Sequence, residues 1–120
     1  MKASQWRLVI SSAALKDYQD IVAWTVSQFG AQQARAYAQV IESALQDLRE
    51  GPEIVGIKWR PELGARIASL HLARKGYKAR HLVIVRVETR LASEDPVIEV
   101  LRLLHDRMDL QRHLSSTDSE

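Results

Sequence analysis

The stretch Val97-Ile-Glu-Val-Leu-Arg-Leu-Leu-His-Asp-Arg-Met-Asp-Leu-Gln-Arg-His-Leu114 contains the strongest structural signal in this chain. Residues 97–104 are mostly branched and apolar, which is typical of a buried β-strand. No glycine or proline separates this run from the polar residues that follow it. The pattern therefore predicts a strand that places charged side chains at one end of a sheet. These side chains, which we interpret as a structural charge cluster, are His105, Asp106, Arg107 and Asp109.

Two further strands are predicted ahead of this one, at residues 65–72 and 80–87. Short polar links separate the three strands, and short links join antiparallel neighbours rather than parallel ones. A fourth, short strand is predicted at residues 6–10. Residues 52–64 contain two prolines and two glycines, which predicts an irregular connection.

Two helices are predicted between the first strand and that connection. Apolar residues recur there at intervals of three and four, in two successive runs. Ser11 or Ser12 is placed to cap the first helix, and Gly30 is placed to end it. Gly51 and Pro52 end the second helix. Two long helices joined by so short a turn must pack as an antiparallel hairpin.

The element order β-α-α-β-β-β, followed by a short C-terminal helical turn, predicts a two-layer α+β domain. Its antiparallel sheet consists of the short N-terminal strand and a three-stranded meander, and the helical hairpin covers one face. With 120 residues, the chain is long enough for a single core. We expect one domain over residues 1–114, and a polar, disordered tail over residues 115–120.

Composition excludes several classes of protein. The chain has no cysteine, so disulfides and thiolate metal ligands are absent. No apolar run approaches the length of about 20 residues that a transmembrane helix needs. Residues 1–10 lack the apolar stretch of a secretory signal. We therefore expect a cytoplasmic protein.

The formal net charge of +2 is unevenly distributed along the chain. Residues 58–90 contain nine lysines and arginines and two glutamates, and nine less two leaves +7 in that segment. Such a field attracts a polyanion, either nucleic acid or an acidic protein segment. A solvated basic face with no partner explains the same charge equally well.

Several phrases of the sequence stand out in order along the chain, at residues 11–21, 24–30, 45–52, 64–66, 80–87 and 101–109. Together with the element order, they resemble the RelE/ParE superfamily of small bacterial toxins, and the ParE-type members in particular. The resemblance extends over about residues 5–114. It implies the toxin component of a type II toxin–antitoxin system, held inactive by the flexible tail of a cognate antitoxin. RelE-like members cleave mRNA on the ribosome, whereas ParE-like members inhibit DNA gyrase.

The polar residues of the sheet bear on the choice between these two activities. Cleavage of RNA without a metal needs an acid, a base and cations over the phosphate. Arg86 and Arg102 interrupt neighbouring apolar strands and could grip a phosphate together, with His105 as acid or base. However, no tyrosine follows His105, although RelE-like nucleases usually carry one there. Asp106 and Asp109 would also repel the RNA backbone.

We therefore predict a ParE-like toxin that inhibits DNA gyrase by stoichiometric binding, without catalytic residues, cofactor or metal. The alternatives are a ribosome-dependent mRNA interferase that uses Arg86, Arg102 and His105, and an inactive paralogue. The expected partner is a ParD-like antitoxin with an acidic, amphipathic tail, which would bind the uncovered face and edge of the sheet. The predicted partner-binding residues are Arg66, Arg80, Arg86, Arg102 and Trp59.

Overall fold

The computed structural model describes residues 6–88, 96–108, 110, 112 and 114. Its order of elements, with two helices on one sheet, confirms the predicted two-layer α+β fold. The C-terminal turn is helical at residues 110, 112 and 114, whereas Asp109 and the predicted tail at 115–120 lie outside the described residues. The elements are β1 (Arg7–Ile10), α1 (Ser12–Phe29), α2 (Ala31–Leu48), β2 (Ile57–Trp59), β3 (Ile67–His71), a 3₁₀ helix (Leu72–Lys75), β4 (His81–Glu88) and β5 (Val97–His105).

The sheet has five strands in the order β1-β5-β4-β3-β2. The pairs β3–β4 and β4–β5 are antiparallel, as the predicted meander requires. Two features differ from the prediction. Strand β1 pairs parallel to β5, so the sheet is mixed, and β2 lies within the connection predicted to be irregular. No short link joins β1 to β5, so the sequence does not constrain their relative direction. Strand β2 has only three residues between Gly56 and Arg60, too few to show the alternation of apolar and polar residues that indicates a strand.

The start of α1 is fixed both to its own first turn and to the sheet. The Ser11 hydroxyl accepts the Ala14 N–H at 3.0 Å, which is the predicted N-cap. The same hydroxyl donates to the Leu101 carbonyl at 2.9 Å. Since β1 ends at Ile10, α1 continues beside the part of β5 that β1 no longer pairs with.

The main core lies between the helical hairpin and one face of the sheet. From α2, Ile41, Ala44 and Leu48 are fully buried. They pack with alternate residues of β4 and β5, among them Val83 and Val85. This arrangement is the one that apolar stripes on the helices predicted. Within the described residues, no helix is both long and apolar enough to cross a membrane.

The opposite face of the sheet carries a second apolar cluster, which corrects the expectation of an uncovered cationic face. Leu82 and Ile84 alternate along β4 with the residues of the main core, and they are 6% and 0% exposed. The C-terminal segment covers them, and Leu114 is itself 4% exposed. Because β4 is apolar at every position from 82 to 85, both of its faces need a cover. The other members of the cluster are Ile67, Leu101, Leu104, Leu63 and Leu110.

Candidate functional site

Polar side chains meet where β3 ends, β4 begins and β5 ends. His71, His81 and His105 each occupy one of these strand ends, and Asp106 follows directly after β5. His81 pairs with His105 in the β4–β5 register, and their rings lie 5.3 Å apart at 77°. Tyr37 reaches the same place from α2, 5.6 Å from His81 between ring centres. We call these five residues the histidine cluster.

A hydrogen bond joins Tyr37 of α2 to His81 at the start of β4. The Arg80 N–H donates to the Tyr37 hydroxyl at 3.2 Å, and that hydroxyl lies 2.7 Å from His81 Nδ1. Burial, and then the neighbouring His105, lower the pKa of His81 from 6.5 to about 4. Burial also raises the pKa of Tyr37.

Asp106 joins the ends of three strands. Its N–H donates to the Arg80 carbonyl at 2.8 Å, which ties the end of β5 to the entry of β4. Its Oδ2 accepts from His71 Nε2 at 3.0 Å, and this hydrogen bond lowers the pKa of Asp106. The Arg107 N–H donates to His105 Nδ1 at 3.1 Å. Of the two carboxylates in the predicted charge cluster, Asp106 is therefore hydrogen-bonded by a histidine, and Asp109 lies outside the described residues.

The two arginines expected to form one cationic pair are held by different carboxylates. Arg102 binds Asp17 of α1 through Nε at 2.8 Å and Nη2 at 3.0 Å, and Asp17 also accepts the Leu103 N–H at 2.9 Å. Arg86 Nη1 lies 3.5 Å from Glu99 on β5. A bulge in the β4–β5 register lies between the two positions, and residue spacing alone could not reveal it. Arg86 and Arg102 are therefore not arranged in the structure to bind one phosphate together.

The other predicted contact residues are distributed over the sheet. Arg66 is exposed at a φ of +63°, and its carbonyl accepts the Val87 N–H where β4 ends. Arg80 lies at the opposite end of β4, beside the histidine cluster. Trp59 lies on the edge strand β2 and is 50% exposed. Arg66 and Arg80 therefore lie at opposite ends of the sheet.

Sequence reasoning missed two residues that organise this region. Tyr37 is one of the regularly spaced residues of α2, a position that predicts packing in the core, yet its hydroxyl bridges to β4. Asp17 precedes an apolar stripe position and carries no sequence signal of its own, although it receives three hydrogen bonds from β5. In the described part of the chain, no three histidines or acids are arranged to hold a metal ion.

An apolar surface lies at the other edge of the sheet, beside β1. Val9, Ile10 and Leu15 are 38%, 44% and 50% exposed. Next to them is a cleft of about 180 Å³, lined almost entirely by apolar side chains. The cleft residues are Ile10, Ala14, Leu15, Tyr18, Glu42, Leu45, Val100 and Leu103.

Residues 8–110 match the sequence model of a family described as the ParE toxin of the type II toxin–antitoxin system, parDE. The chain belongs to the ParE toxin family. The match includes both helices, all five strands apart from Arg7, and the histidine cluster. It confirms the resemblance noted in the sequence and makes the protein a type II toxin of the RelE/ParE superfamily.

Known structures share the fold of this ParE family member. A chromosomal ParDE toxin–antitoxin system from P. aeruginosa superposes with a TM-score of 0.63 at 19% identity, over 84% of this chain and 96% of that one. The toxin–antitoxin complex RelBE2 from Mycobacterium tuberculosis superposes with a TM-score of 0.55 at 21% identity, over 87% of this chain and 94% of that one. A YoeB/ParE toxin from Agrobacterium tumefaciens superposes with a TM-score of 0.55 at 18% identity, over 82% of this chain and 97% of that one. No curated protein matches the chain in sequence.

Proposed function

We propose that this ParE-family toxin acts by binding DNA gyrase stoichiometrically, in the cytoplasm, and that a cognate antitoxin neutralises it. The observation that carries the choice over RNA cleavage is the pairing of Arg102 with Asp17. RNA would have to displace this carboxylate before the guanidinium could bind a phosphate. The side chains of Arg102 and Asp17 are 18% and 14% exposed, so breaking the pair costs on the order of 3 kcal/mol.

The acid–base chemistry of the site also argues against an mRNA interferase. Burial lowers the pKa of His81 to about 4, so near neutral pH its ring is not the imidazolium that could donate a proton, and the neutral ring is only a weak base. His105 accepts the Arg107 N–H through Nδ1, which engages one of its two ring nitrogens. Inhibition by binding needs neither group to exchange a proton.

For the antitoxin, we propose the apolar surface beside β1 as the main anchor site. The strand lies at the edge of the sheet, and an extended or helical partner segment commonly docks on such an edge. Apolar side chains of the antitoxin would fill the cleft next to Ile10 and Leu15. Arg66, Arg86 and Trp59 are proposed as further contacts for its acidic tail. The ParDE and RelBE2 structures are of toxin–antitoxin systems, which supports a partner of this class.

Two assays with the purified toxin test the proposal. In the first, gyrase supercoils relaxed plasmid while the toxin is titrated, and we expect inhibition to be complete near one toxin per gyrase subunit. In the second, ribosomes translate a defined mRNA with the same toxin concentrations, and we expect the mRNA to stay intact. Codon-specific mRNA cleavage with unaffected supercoiling would overturn the proposal in favour of the interferase. No effect in either assay would favour the inactive paralogue.

A further inference from the structure

A polar cleft lies between the end of α2, the loop that leads to β2 and the 3₁₀ helix. Its volume is about 440 Å³, and it shares no lining residue with the apolar cleft beside β1. Its two apolar residues are Ile54 and Val55, and Val55 is 81% exposed. We call it the α2 cleft. Its charged residues are Asp47, Glu50, Glu53, Arg74 and Lys75.

Arg74 brings a buried donor without an acceptor to this cleft. Its side chain is 4% exposed, and its Nη2 pairs with Asp47. Among the described residues, its Nη1 is shielded from solvent and has no hydrogen-bond partner. The loop backbone lies against this side chain, since a Cβ on Gly56 would lie 2.9 Å from Arg74 Cδ. A buried N–H without an acceptor is unfavourable, so a ligand that supplies an acceptor is stabilised there.

The cleft also contains two carboxylates that have no partner. Asp47 is occupied, because it pairs with Arg74 and lies 2.8 Å from Lys75 Nζ. In the part of the chain that the structure describes, the exposed side chains of Glu50 and Glu53 take part in no ion pair or hydrogen bond. The site therefore offers one unsatisfied donor and two free anionic acceptors.

The charge of the cleft favours a cation. Among the lining residues, three acids less two bases leave −1. Arg49 adjoins Glu50 in the chain but does not line the cleft, and counting it would still leave both free carboxylates unpaired. The phosphates of a nucleic acid and the acidic tail proposed for the antitoxin are repelled by these carboxylates.

We propose that the α2 cleft binds a basic side chain, arginine or lysine, of a protein partner. The cation contacts Glu50 and Glu53. The aliphatic stem that carries the cation covers Ile54 and Val55. A peptide carbonyl next to that side chain accepts from Arg74 Nη1.

The unsatisfied donor distinguishes a peptide from other cations. Protonated amines of a polyamine, like the ammonium of lysine, donate hydrogen bonds and do not accept them. A free amino acid offers a carboxylate, which the acids of the cleft repel. A peptide carbonyl accepts a hydrogen bond without carrying charge. This site goes beyond inhibition of gyrase by binding and does not depend on it.

Titration of the toxin with Nα-acetyl-arginine methylamide, followed by nuclear magnetic resonance, tests the proposal. We expect saturable shifts of the backbone amides at residues 53–56 and 74–75, with a Kd on the order of 1 mM. Butylguanidinium has the same charge and a similar stem but no carbonyl, and it should bind at least about threefold more weakly. In Arg74→Lys, which keeps the charge but removes Nη1, the two probes should bind within about twofold of each other.

A second pair of variants tests the carboxylates. We expect Glu50→Gln/Glu53→Gln to lose at least about fivefold in affinity for the acetylated arginine. The matched control, Asp20→Asn/Glu62→Gln, makes the same change in net charge at exposed sites outside the cleft. It should lose less than about twofold. The dispersion of the amide spectrum verifies that each variant is folded.

Several outcomes would overturn the proposal. They are the absence of saturable shifts up to about 10 mM probe and equal losses in the two double variants. Equal or tighter binding of butylguanidinium or spermidine would assign the cleft to a simple cation, and equal or tighter binding of free arginine would assign it to an amino acid. Because gyrase is absent from this experiment, its result is independent of the supercoiling assay.

Discussion

His81 shows how a single residue links α2 to the strand ends. Its Nδ1 lies 2.7 Å from the Tyr37 hydroxyl. Burial of the ring, and then the neighbouring His105, favour the neutral imidazole in the folded protein. The unfolded chain imposes no such preference. Protonation of His81 therefore opposes folding, and the effect grows as the pH falls from its ordinary pKa of 6.5 to its folded pKa of about 4.

We expect this titration to make the free energy of unfolding depend on pH. The folded pKa is depressed, so the folded state binds fewer protons, and the stability is fully present above pH 6.5 and lost as the pH falls through about 4. Solvent reaches part of the ring, which limits the loss to about 1–2 kcal/mol. Urea unfolding at several pH values measures it.

The comparison variant is His81→Asn, which keeps a hydrogen-bonding group at this position but does not titrate. Its stability should vary less with pH than that of the unaltered protein over the same range. Identical pH profiles for the two proteins would show that His81 does not carry the effect.

Among the elements, the junction between α2 and β1 depends on a close backbone approach. Gly51 follows α2 at a φ of +105°, where a side chain is strained. A Cβ at this position would lie 2.7 Å from Trp6 Nε1. The backbone N–H of Trp6 donates to the Arg49 carbonyl at 2.8 Å. This hydrogen bond holds the backbone of Trp6 beside the end of α2.

We expect Gly51→Ala to lower the free energy of unfolding by about 2–3 kcal/mol, through backbone strain together with the clash at Trp6. The matched control is Gly76→Ala, at a φ of +88° but with nothing within 4 Å of the added Cβ. It should cost about 1 kcal/mol from the backbone alone. Equal losses in urea unfolding would mean that the contact with Trp6 contributes nothing.

For the molecule as a whole, the sheet is buried on both faces. The helical hairpin covers one face, and the C-terminal segment covers the apolar part of the other through Leu114. A partner cannot therefore reach Ile84 without moving the C-terminal segment. The proposed main anchor site for the antitoxin avoids this face, because it lies at the β1 edge of the sheet.

We expect Leu114→Ala to destabilise the protein by about 2–3 kcal/mol, since the side chain is 4% exposed and its loss opens the second cluster. Met108→Ala, at a residue that is 42% exposed, is the matched control and should cost less than about 1 kcal/mol. Thermal unfolding followed by circular dichroism measures both. Equal shifts in Tm would contradict a structural role for the C-terminal cover.

The elements that were predicted correctly have signals within a few residues of one another. The two helices, the stripe of α2, the Ser11 cap, the stop at Gly30 and the three strands of the meander agree with the structure. The stripe of α1 agrees only in part, since Leu15 and Phe29 are 50% and 62% exposed. The candidate site was predicted less well. His105 and Asp106 do lie at a sheet end, but the partners of Asp106 come from β3 and β4, and their identity depends on strand register.

The amino-acid sequence by itself determined the helical hairpin, the meander and the membership of the ParE family, because each rests on residues close in the chain or on their order. Tertiary structure alone decided three further features: the parallel pairing of β1, the cover on the second face, and the binding of Arg102 by Asp17. Arg102 and Asp17 are 85 positions apart. No periodicity links residues so distant, and they meet only because α1 docks beside β5 where β1 ends.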